Sequence, residues 1–156
     1  MAGFSVHINV EGLGLAEGVL RGIRERSENL TVPLSAGGVH MTRSIRQNFR
    51  VGGRPKKWRP WAPATRRAYG RQPGRARSVL VGRGMRGGLM GSITSKAGRD
   101  FLVIGTNKIY GRIHQLGGQA GRGHATTIPA RPYLIFQKSD VEVIARMVGE
   151  HLAGGA

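Results

Sequence analysis

The feature that most constrains this chain is a stretch of 71 residues, from Asn29 to Arg99, that contains no acidic side chain. The chain has 25 basic and 8 acidic residues, and 16 of the basic ones lie between Arg43 and Arg99. The formal net charge of +17 is therefore a property of one segment, since the flanking residues are nearly balanced. Like charges repel one another, so such a segment resists compaction and tends to be solvated or to bind a partner.

Aromatic residues are interleaved with these cations, with Trp58, Trp61 and Tyr69 standing among Lys and Arg. Arginine predominates, and its planar guanidinium binds phosphate or carboxylate through two parallel hydrogen bonds. A nucleic-acid backbone, an acidic protein surface or solvent alone would each suit the segment, and the sequence does not separate them. The residues predicted to contact DNA or an acidic partner are Arg54, Lys56, Lys57, Arg59, Arg66, Arg67 and Arg71.

Length and composition limit the remaining possibilities. A chain of 156 residues is expected to form a single domain, with a long basic loop at about 50–88. Cysteine is absent, which excludes disulfides and thiol chemistry. No apolar run approaches the length of a membrane span, and the first ten residues lack the basic start of a signal peptide. We therefore expect a protein that stays in the cytoplasm of the cell that makes it and binds no membrane.

Residue periodicity in the first half of the chain predicts a strand, two helices and a loop. Phe4 to Val10 alternates apolar and polar residues, as a half-buried strand does. Leu15 to Asn29 has apolar residues at helical spacing, and a second helix is predicted from about 33 to 49–51, ahead of a Gly-Gly pair. Four prolines in residues 52–77 predict a long loop, with a short helix at Ala64–Tyr69.

The second half of the chain predicts a hairpin and a terminal helix. Two strands, Ser92–Thr94 and Phe101–Gly105, are expected to pair, and a third is expected within Ile128–Phe136 despite two prolines. The last helix has Ser139 and Glu142 at the spacing of a capping box. The predicted fold class is α+β, with a small antiparallel sheet packed with an N-terminal helix pair and a C-terminal helix, plus the long basic loop.

The side chains that enzymes use are sparse. Gly82 to Gly87 spells G-x-G-x-x-G, but the helix and the later acid of a dinucleotide site are missing. His114 and His124 are close in sequence, yet neither has a neighbouring carboxylate with which to hold a metal. With 8 acids in all, the chain has few to spare for a paired-carboxylate site, and no G-x-S-x-G motif surrounds its serines. We predict no catalytic residue, no metal and no cofactor.

Four passages between residues 49 and 134 follow one another in the order typical of a known family. Phe49 to Pro60 is similar to its "F…GG.P..W.P" passage, and Gly87 to Ile93 is similar to "TG.L..SI". Ile104 to Gly117 matches "GT…YA.IHQFG" with Gly111 in place of the common Ala, and Ile128 to Leu134 is similar to "IPARPFL". The chain thus resembles the phage virion morphogenesis, or tail completion, family of Mu-like and P2-like phages.

This resemblance implies a non-enzymatic structural protein of a tailed-phage virion. The expected subunit is α+β and assembles as a ring in the head–tail joint, and tail symmetry makes a hexamer the expected ring. Its partners would be neighbouring neck, connector or tail-tube proteins and, in a neck ring, the DNA that passes through. A tail terminator that caps the tail tube is an alternative, and a freestanding nucleic-acid-binding protein is another.

Subunit contacts are expected near the prolines and aromatic residues of the later motifs. Pro129 and Pro132 stiffen the chain and lack N–H donors, which is typical of an edge strand or extended arm that pairs with a neighbour. Aromatic residues and arginine are enriched at interfaces. An equal alternative is that Tyr110, Ile113 and Leu116 fill the core. The predicted interface residues are Trp58, Trp61, Tyr110, His114, Arg131 and Tyr133.

Overall fold

A computed structural model of the chain describes residues 13–70, 79–81 and 88–155. The strand predicted at Phe4–Val10 and the glycine motif at Gly82–Gly87 lie outside the described residues. The described part consists of helices and two small antiparallel sheets. It confirms the predicted α+β class. None of the helices in this part is long and apolar enough to cross a membrane.

Two helices open the described part, as predicted. Helix α1 spans Leu13–Ser27 and α2 spans Thr31–Val51, with Pro33 in the first turn of α2, where its missing N–H costs little. At the start of α2 the side-chain oxygen of Asn29 accepts a hydrogen bond from the Thr31 N–H at 3.1 Å. The buried face of α2 follows the spacing of three and four residues that one helix face requires. Its residues are Pro33, Gly37, Gly38, Met41, Ile45, Asn48 and Phe49.

The predicted hairpin is present and packs directly on α2. Strand β1 (Ile93–Ala97) pairs antiparallel with β2 (Leu102–Thr106), in a register that sets Ile93 opposite Thr106. A Cβ atom on Gly38 of α2 would lie 2.8 Å from the Ser95 hydroxyl oxygen. The absence of a side chain at this glycine therefore lets the helix and the sheet approach closely.

The strand predicted within Ile128–Phe136 is wrong for most of its length. After the basic loop, with its short helix α3 (Pro63–Gly70), and the hairpin come helix α4 (Gly111–Leu116), β3 (Gly118–Ala120) and β4 (Thr126–Ile128). The chain then continues to residue 137 without strand pairing. Pro129 and Pro132 cannot donate to a ladder. The Gln115 side chain takes the place of a neighbouring strand, since its oxygen accepts the N–H groups of residues 133 and 134 at 2.9 and 3.0 Å.

The C-terminal helix α5 spans Lys138–Ala153 and packs against α2, where a Cβ on Gly37 would lie 3.3 Å from Ile144. The predicted capping box of Ser139 and Glu142 is wrong. The cap is Gln137, and Asp140 is the acidic member of the box. Both pairs have the required spacing, but the Asp140 carboxylate is also held by residues of α2, which fixes the start of the helix.

The core lies between α2, the hairpin and the segment that precedes α5. The ring of Phe49 contacts the edge of Trp58 at a centroid distance of 5.6 Å and the ring of Tyr133 at 5.3 Å. Residues from α2, from the basic loop and from the segment before α5 therefore pack in one cluster. Its buried apolar members in the described part are Met41, Ile45, Phe49, Trp58, Leu89, Met90, Ile93 and Tyr133.

A buried carboxylate links α5 to α2. Asp140 accepts hydrogen bonds from the Ser44 hydroxyl at 2.7 Å and the Gln137 N–H at 3.0 Å, and it lies 3.0 Å from His40 Nε2. Burial alone would raise the pKa of Asp140, but the hydrogen bonds from Gln137, Ser44 and His40 outweigh it, so the pKa lies below its ordinary value. The charged form is therefore the one that the fold stabilises.

We expect Asp140→Asn to lower the free energy of unfolding by about 1 kcal/mol at pH 7. Because the folded pKa is depressed, the carboxylate stabilises the fold above its unfolded pKa of about 3.9 and loses this effect as the pH falls through the folded value. Urea denaturation at pH 7 and pH 3 should therefore show a gap between wild type and variant that closes in acid. Glu142→Gln, at an exposed position of the same helix, is the control. An equal gap at both pH values would contradict the expectation.

Candidate functional site

The basic loop leaves α2 through a pair of glycines. Gly52 and Gly53 have φ angles of 73° and 103°, in the region that side chains disfavour, and both N–H groups bond to the Asn48 carbonyl. A Cβ on Gly53 would lie 2.6 Å from the Lys56 carbonyl oxygen and 2.7 Å from Trp58 Cδ1. The glycine pair therefore turns the chain back on itself, so that Trp58 reaches the core.

Trp58 fastens the loop to the body of the protein. Its side chain is only 8% exposed and packs edge-on against Phe49. The indole N–H donates to the carbonyl of Pro132 at 2.9 Å, so the polar end of the ring is satisfied in the interior. The backbone N–H of Trp58 also donates to the Gly52 carbonyl at 2.7 Å. The position of the loop is thus set by packing and by hydrogen bonds.

Arg54, one of the cations predicted to contact DNA or an acidic partner, is turned into the protein. Its Nε donates to the side-chain oxygen of Asn48 at 2.7 Å, and Nη2 donates to the Ser44 carbonyl at 2.6 Å and hydroxyl at 2.9 Å. Asn48 is fully buried and donates in turn to the Tyr133 carbonyl at 2.9 Å. This chain of hydrogen bonds gives Arg54 a role in fixing the loop.

Arg131 holds the basic loop at residues 59 and 60. It is 7% exposed, and its guanidinium donates to the carbonyls of Arg59 at 3.1 Å and Pro60 at 3.4 Å. Its backbone N–H donates to the His114 carbonyl at 2.8 Å. Burial, and secondly the positive charge of Arg59, lower the pKa of Arg131. The loop between residues 53 and 60 is therefore held at three side chains, Arg54, Trp58 and Arg131.

The remaining described cations of the loop are exposed, and Lys57 Nζ also donates to the Val51 carbonyl. The ion pairs of the described residues, His40–Asp140, Lys138–Glu142 and Arg146–Glu150, are formed by residues of α2 and α5. Arg71, which was also predicted to contact a partner, lies outside the described residues. The loop thus offers positive charge without a neutralising carboxylate in the described part of the chain. We call its exposed cations the basic surface: Lys56, Lys57, Arg59, Arg66 and Arg67.

The residues predicted to form a subunit interface fall into two groups. Trp58, Arg131 and Tyr133 are buried within the protomer, where they hold the loop and the core. Tyr110 is exposed, and Trp61 and His114 are partly buried.

His114 packs its ring edge-on against Tyr110 at 6.0 Å. Burial, and secondly Arg131, lower the pKa of His114. Ile113 beside it is half-buried, whereas Leu116 is exposed, so the alternative of core filling holds only for part of this helix.

Three polar residues that organise the site were missed by the sequence analysis. Asn48 and Ser44 receive Arg54, and Gln115 holds the segment after the second pair of strands. The available signal was a polar residue between apolar ones on the buried face of a helix, as Asn48 is between Ile45 and Phe49. Within the described ranges, His, Cys, Asp and Glu form no cluster that could hold a metal ion.

The site joins the two passages that are most distinctive in the sequence, since Trp58 bonds to the Pro132 carbonyl and Arg131 to the Arg59 carbonyl. Residues 14–153, nearly the whole chain, match the sequence profile of the phage virion morphogenesis family. The chain belongs to this family. The resemblance inferred from the motifs is thereby confirmed, and the protein is one of bacteriophage virion morphogenesis.

Two curated relatives come from Mu-like phages. Over 100 residues the chain is 40% identical to Mu-like prophage FluMu G protein 2 of Haemophilus influenzae, which covers 64% of this chain and 62% of the relative. Over 93 residues it is 37% identical to the putative capsid assembly protein G of Escherichia phage Mu, covering 57% of this chain and 56% of the relative. The chain thus spans less than two thirds of either relative. No solved structure matches it.

Proposed function

We propose that the protein is a structural component of the virion that assembles as a ring in the head–tail joint of a tailed phage, with its basic surface facing the DNA that passes through. The observation that carries this proposal is the construction of the basic surface. Three exposed cations, Lys56, Lys57 and Arg59, stand on the stretch 53–60 that Arg54, Trp58 and Arg131 fix to the core, and Arg66 and Arg67 follow on α3. A loop that is merely solvated would not need to be held by three side chains, two of which, Trp58 and Arg131, are buried.

Electrostatics favour a partner that is recognised by charge and not by sequence. Lys and Arg side chains bind phosphates without reading bases, which suits DNA sliding through a channel. In a ring, each subunit would contribute the same cations, so contacts that are weak singly would act together. An acidic surface on a neighbouring ring is the competing partner, and the experiment below distinguishes it.

The test removes the charge of the basic surface in the phage itself. A phage with its own gene for this chain disabled is complemented from a plasmid, and lysates are examined by electron microscopy and titre. We expect the titre to fall on the order of a hundredfold, because the loss repeats in every subunit. The four substitutions are Lys56→Ser, Lys57→Ser, Arg66→Ser and Arg67→Ser.

A matched control removes the same amount of charge from exposed positions elsewhere in the described part. Wild-type titre for the basic-surface variant, or an equal loss for both variants, would overturn the proposal. The four control substitutions are Lys96→Ser, Arg99→Ser, Arg122→Ser and Arg146→Ser.

The particles that accumulate without the protein distinguish the alternatives. Full heads lying beside finished tails support a role in joining, whereas tails of abnormal length would indicate a tail terminator. Defective heads would indicate a role in capsid assembly, which the name of the phage Mu relative describes for that protein. Suppressor mutations of the basic-surface variant that map to an acidic virion protein would identify that protein, and not DNA, as the partner. Tight, salt-sensitive DNA binding by a purified monomer would favour the freestanding nucleic-acid-binding protein.

A further inference from the structure

An open groove lies between the end of β2, helix α4 and the segment that carries Leu134. It has a volume of about 350 Å³. Its rim is apolar and uncovered, since Ile109 is 97% exposed and Leu116 is 64% exposed. Among the described residues that line it, the charged ones are Lys108 and Arg112, and none is a carboxylate. An apolar groove with two cations at its edge, which we call the α4 groove, is suited to an apolar segment that carries an acid.

The first half of α1 is such a segment. Residues 13–20, which we call the α1 tip, present Leu13, Leu15, Val19 and Leu20, each more than half exposed. Glu17 is the charged residue of this stretch, and the first cation of the helix follows at Arg21. This acid is one of only 8 in a chain with 25 cations. With about 100° of rotation per residue, Glu17 shares one face of the helix with Leu13 and Leu20, whereas Leu15 and Val19 lie on the opposite face. The face formed by Leu13, Glu17 and Leu20 is complementary to the α4 groove in both polarity and charge.

Within the described part of the chain, the α1 tip is not buried, since residues 13–20 are all exposed. The second half of α1 is attached to the body, where Arg26 Nε donates to the Leu152 carbonyl at 2.8 Å and Ile23 is half-buried. Short helices are marginal in water, and Gly14 and Gly18 each cost about 1 kcal/mol relative to alanine. Burial of Leu13 and Leu20 against a partner would offset part of these costs.

We propose that the α1 tip of one subunit binds in the α4 groove of the next, with Glu17 beside Lys108 and Arg112. The two surfaces are different patches of the same chain, so the contact is head-to-tail, and it generates a ring when its rotation closes. This inference rests on the proposed function, because it names the interface that builds the proposed ring.

The test uses two variants of the full chain, Leu20→Asp in the α1 tip and Ile109→Asp in the α4 groove. Both side chains are exposed, so the fold should be retained, which circular dichroism and thermal melting check. We expect each variant alone to need at least a tenfold higher concentration for assembly than wild type, as judged by analytical ultracentrifugation. Mixed in equal amounts, they should form dimers but no rings, since each pair retains one intact α1 tip and one intact α4 groove. Lys96→Asp, at an exposed position outside both surfaces, should assemble like wild type.

Crosslinking extends the test to assembled virions. Because the chain has no cysteine, Leu20→Cys together with Ile109→Cys introduces a single pair of thiols in each subunit. Oxidised virions should give a ladder of covalent multimers, whereas Leu20→Cys with Lys96→Cys should not. A disulfide within one chain, or rings that form equally well from the aspartate variants, would overturn the interface but leave the ring intact. Wild-type protein that is monomeric both in solution and in virions treated with an amine-reactive crosslinker would overturn the ring itself, and with it the proposed function.

Discussion

Phe49→Ala is expected to lower the free energy of unfolding by about 3–5 kcal/mol, the usual cost of removing a fully buried ring and leaving a cavity. Phe49 has no exposed surface and lies between the rings of Trp58 and Tyr133. Trp58 belongs to the basic loop, and Tyr133 belongs to the family passage from Ile128 to Leu134. The loss should therefore weaken the attachment of the loop as well as the core.

Two measurements separate these effects. Urea denaturation followed by circular dichroism gives the loss in stability, and the fluorescence of Trp58 in a Trp61→Phe background reports the loop. We expect Trp58 emission to move to longer wavelength before the helices unfold, because its packing surface is gone. Phe136→Ala, which removes an exposed ring, should change stability by less than about 1 kcal/mol. Similar losses for both variants would contradict the central place of Phe49.

The elements of this fold could be predicted where local periodicity decides them. The helix pair, the hairpin and the C-terminal helix have patterns that their own residues impose. The strand was expected within 128–136 because the segment is apolar, but Pro129 and Pro132 have no N–H group to donate to a neighbouring strand. The N–H groups of residues 133 and 134 bond instead to the Gln115 side chain. The capping box failed for a related reason. Two pairs with the same spacing overlapped, and the buried contacts of Asp140 with α2 decided between them.

The basic character of the site could also be predicted. Which cations bond within the protein and which are exposed on its surface could not. Arg54 and Arg59 are both arginines of the loop, and it is the position of Asn48 and Ser44 in space that makes Arg54 an anchor. Likewise, Trp58 and Arg131 are of residue types that are enriched at interfaces, yet in this fold they bind backbone carbonyls about 70 residues away in the sequence. A sequence shows which side chains are able to form such bonds. The fold determines which of these side chains already bond to groups within the protein.

The structure gives a physical reason why two of the family passages depend on each other. Trp58 donates to the Pro132 carbonyl, and Arg131 donates to the carbonyls of Arg59 and Pro60. The "GG.P..W.P" passage therefore needs the "IPARP" passage to keep its shape, and the reverse also holds. We infer that these two motifs together fix the position of the basic surface.

A second pair of family passages meets where Gly111 lies beside the hydroxyl group of Tyr133. The chain has Gly111 where the family pattern commonly has Ala, and Tyr133 where it has Phe. A Cβ on Gly111 would lie 2.9 Å from the Tyr133 hydroxyl and 2.7 Å from the Thr106 methyl group. The tyrosine hydroxyl thus lies close to the space that the alanine methyl would need. The two departures from the pattern are therefore expected to compensate each other.

A double-mutant cycle tests this coupling. Gly111→Ala alone should cost about 1–3 kcal/mol, since it overpacks a filled site. In a Tyr133→Phe background the same change should cost at least about 1 kcal/mol less, because the hydroxyl is gone and only the Thr106 contact remains. Gly149→Ala, in a helix where a Cβ meets nothing within 4 Å, controls for helix propensity and should be neutral or stabilising. Additive losses in the cycle would show that Thr106, and not the Tyr133 hydroxyl, restricts position 111.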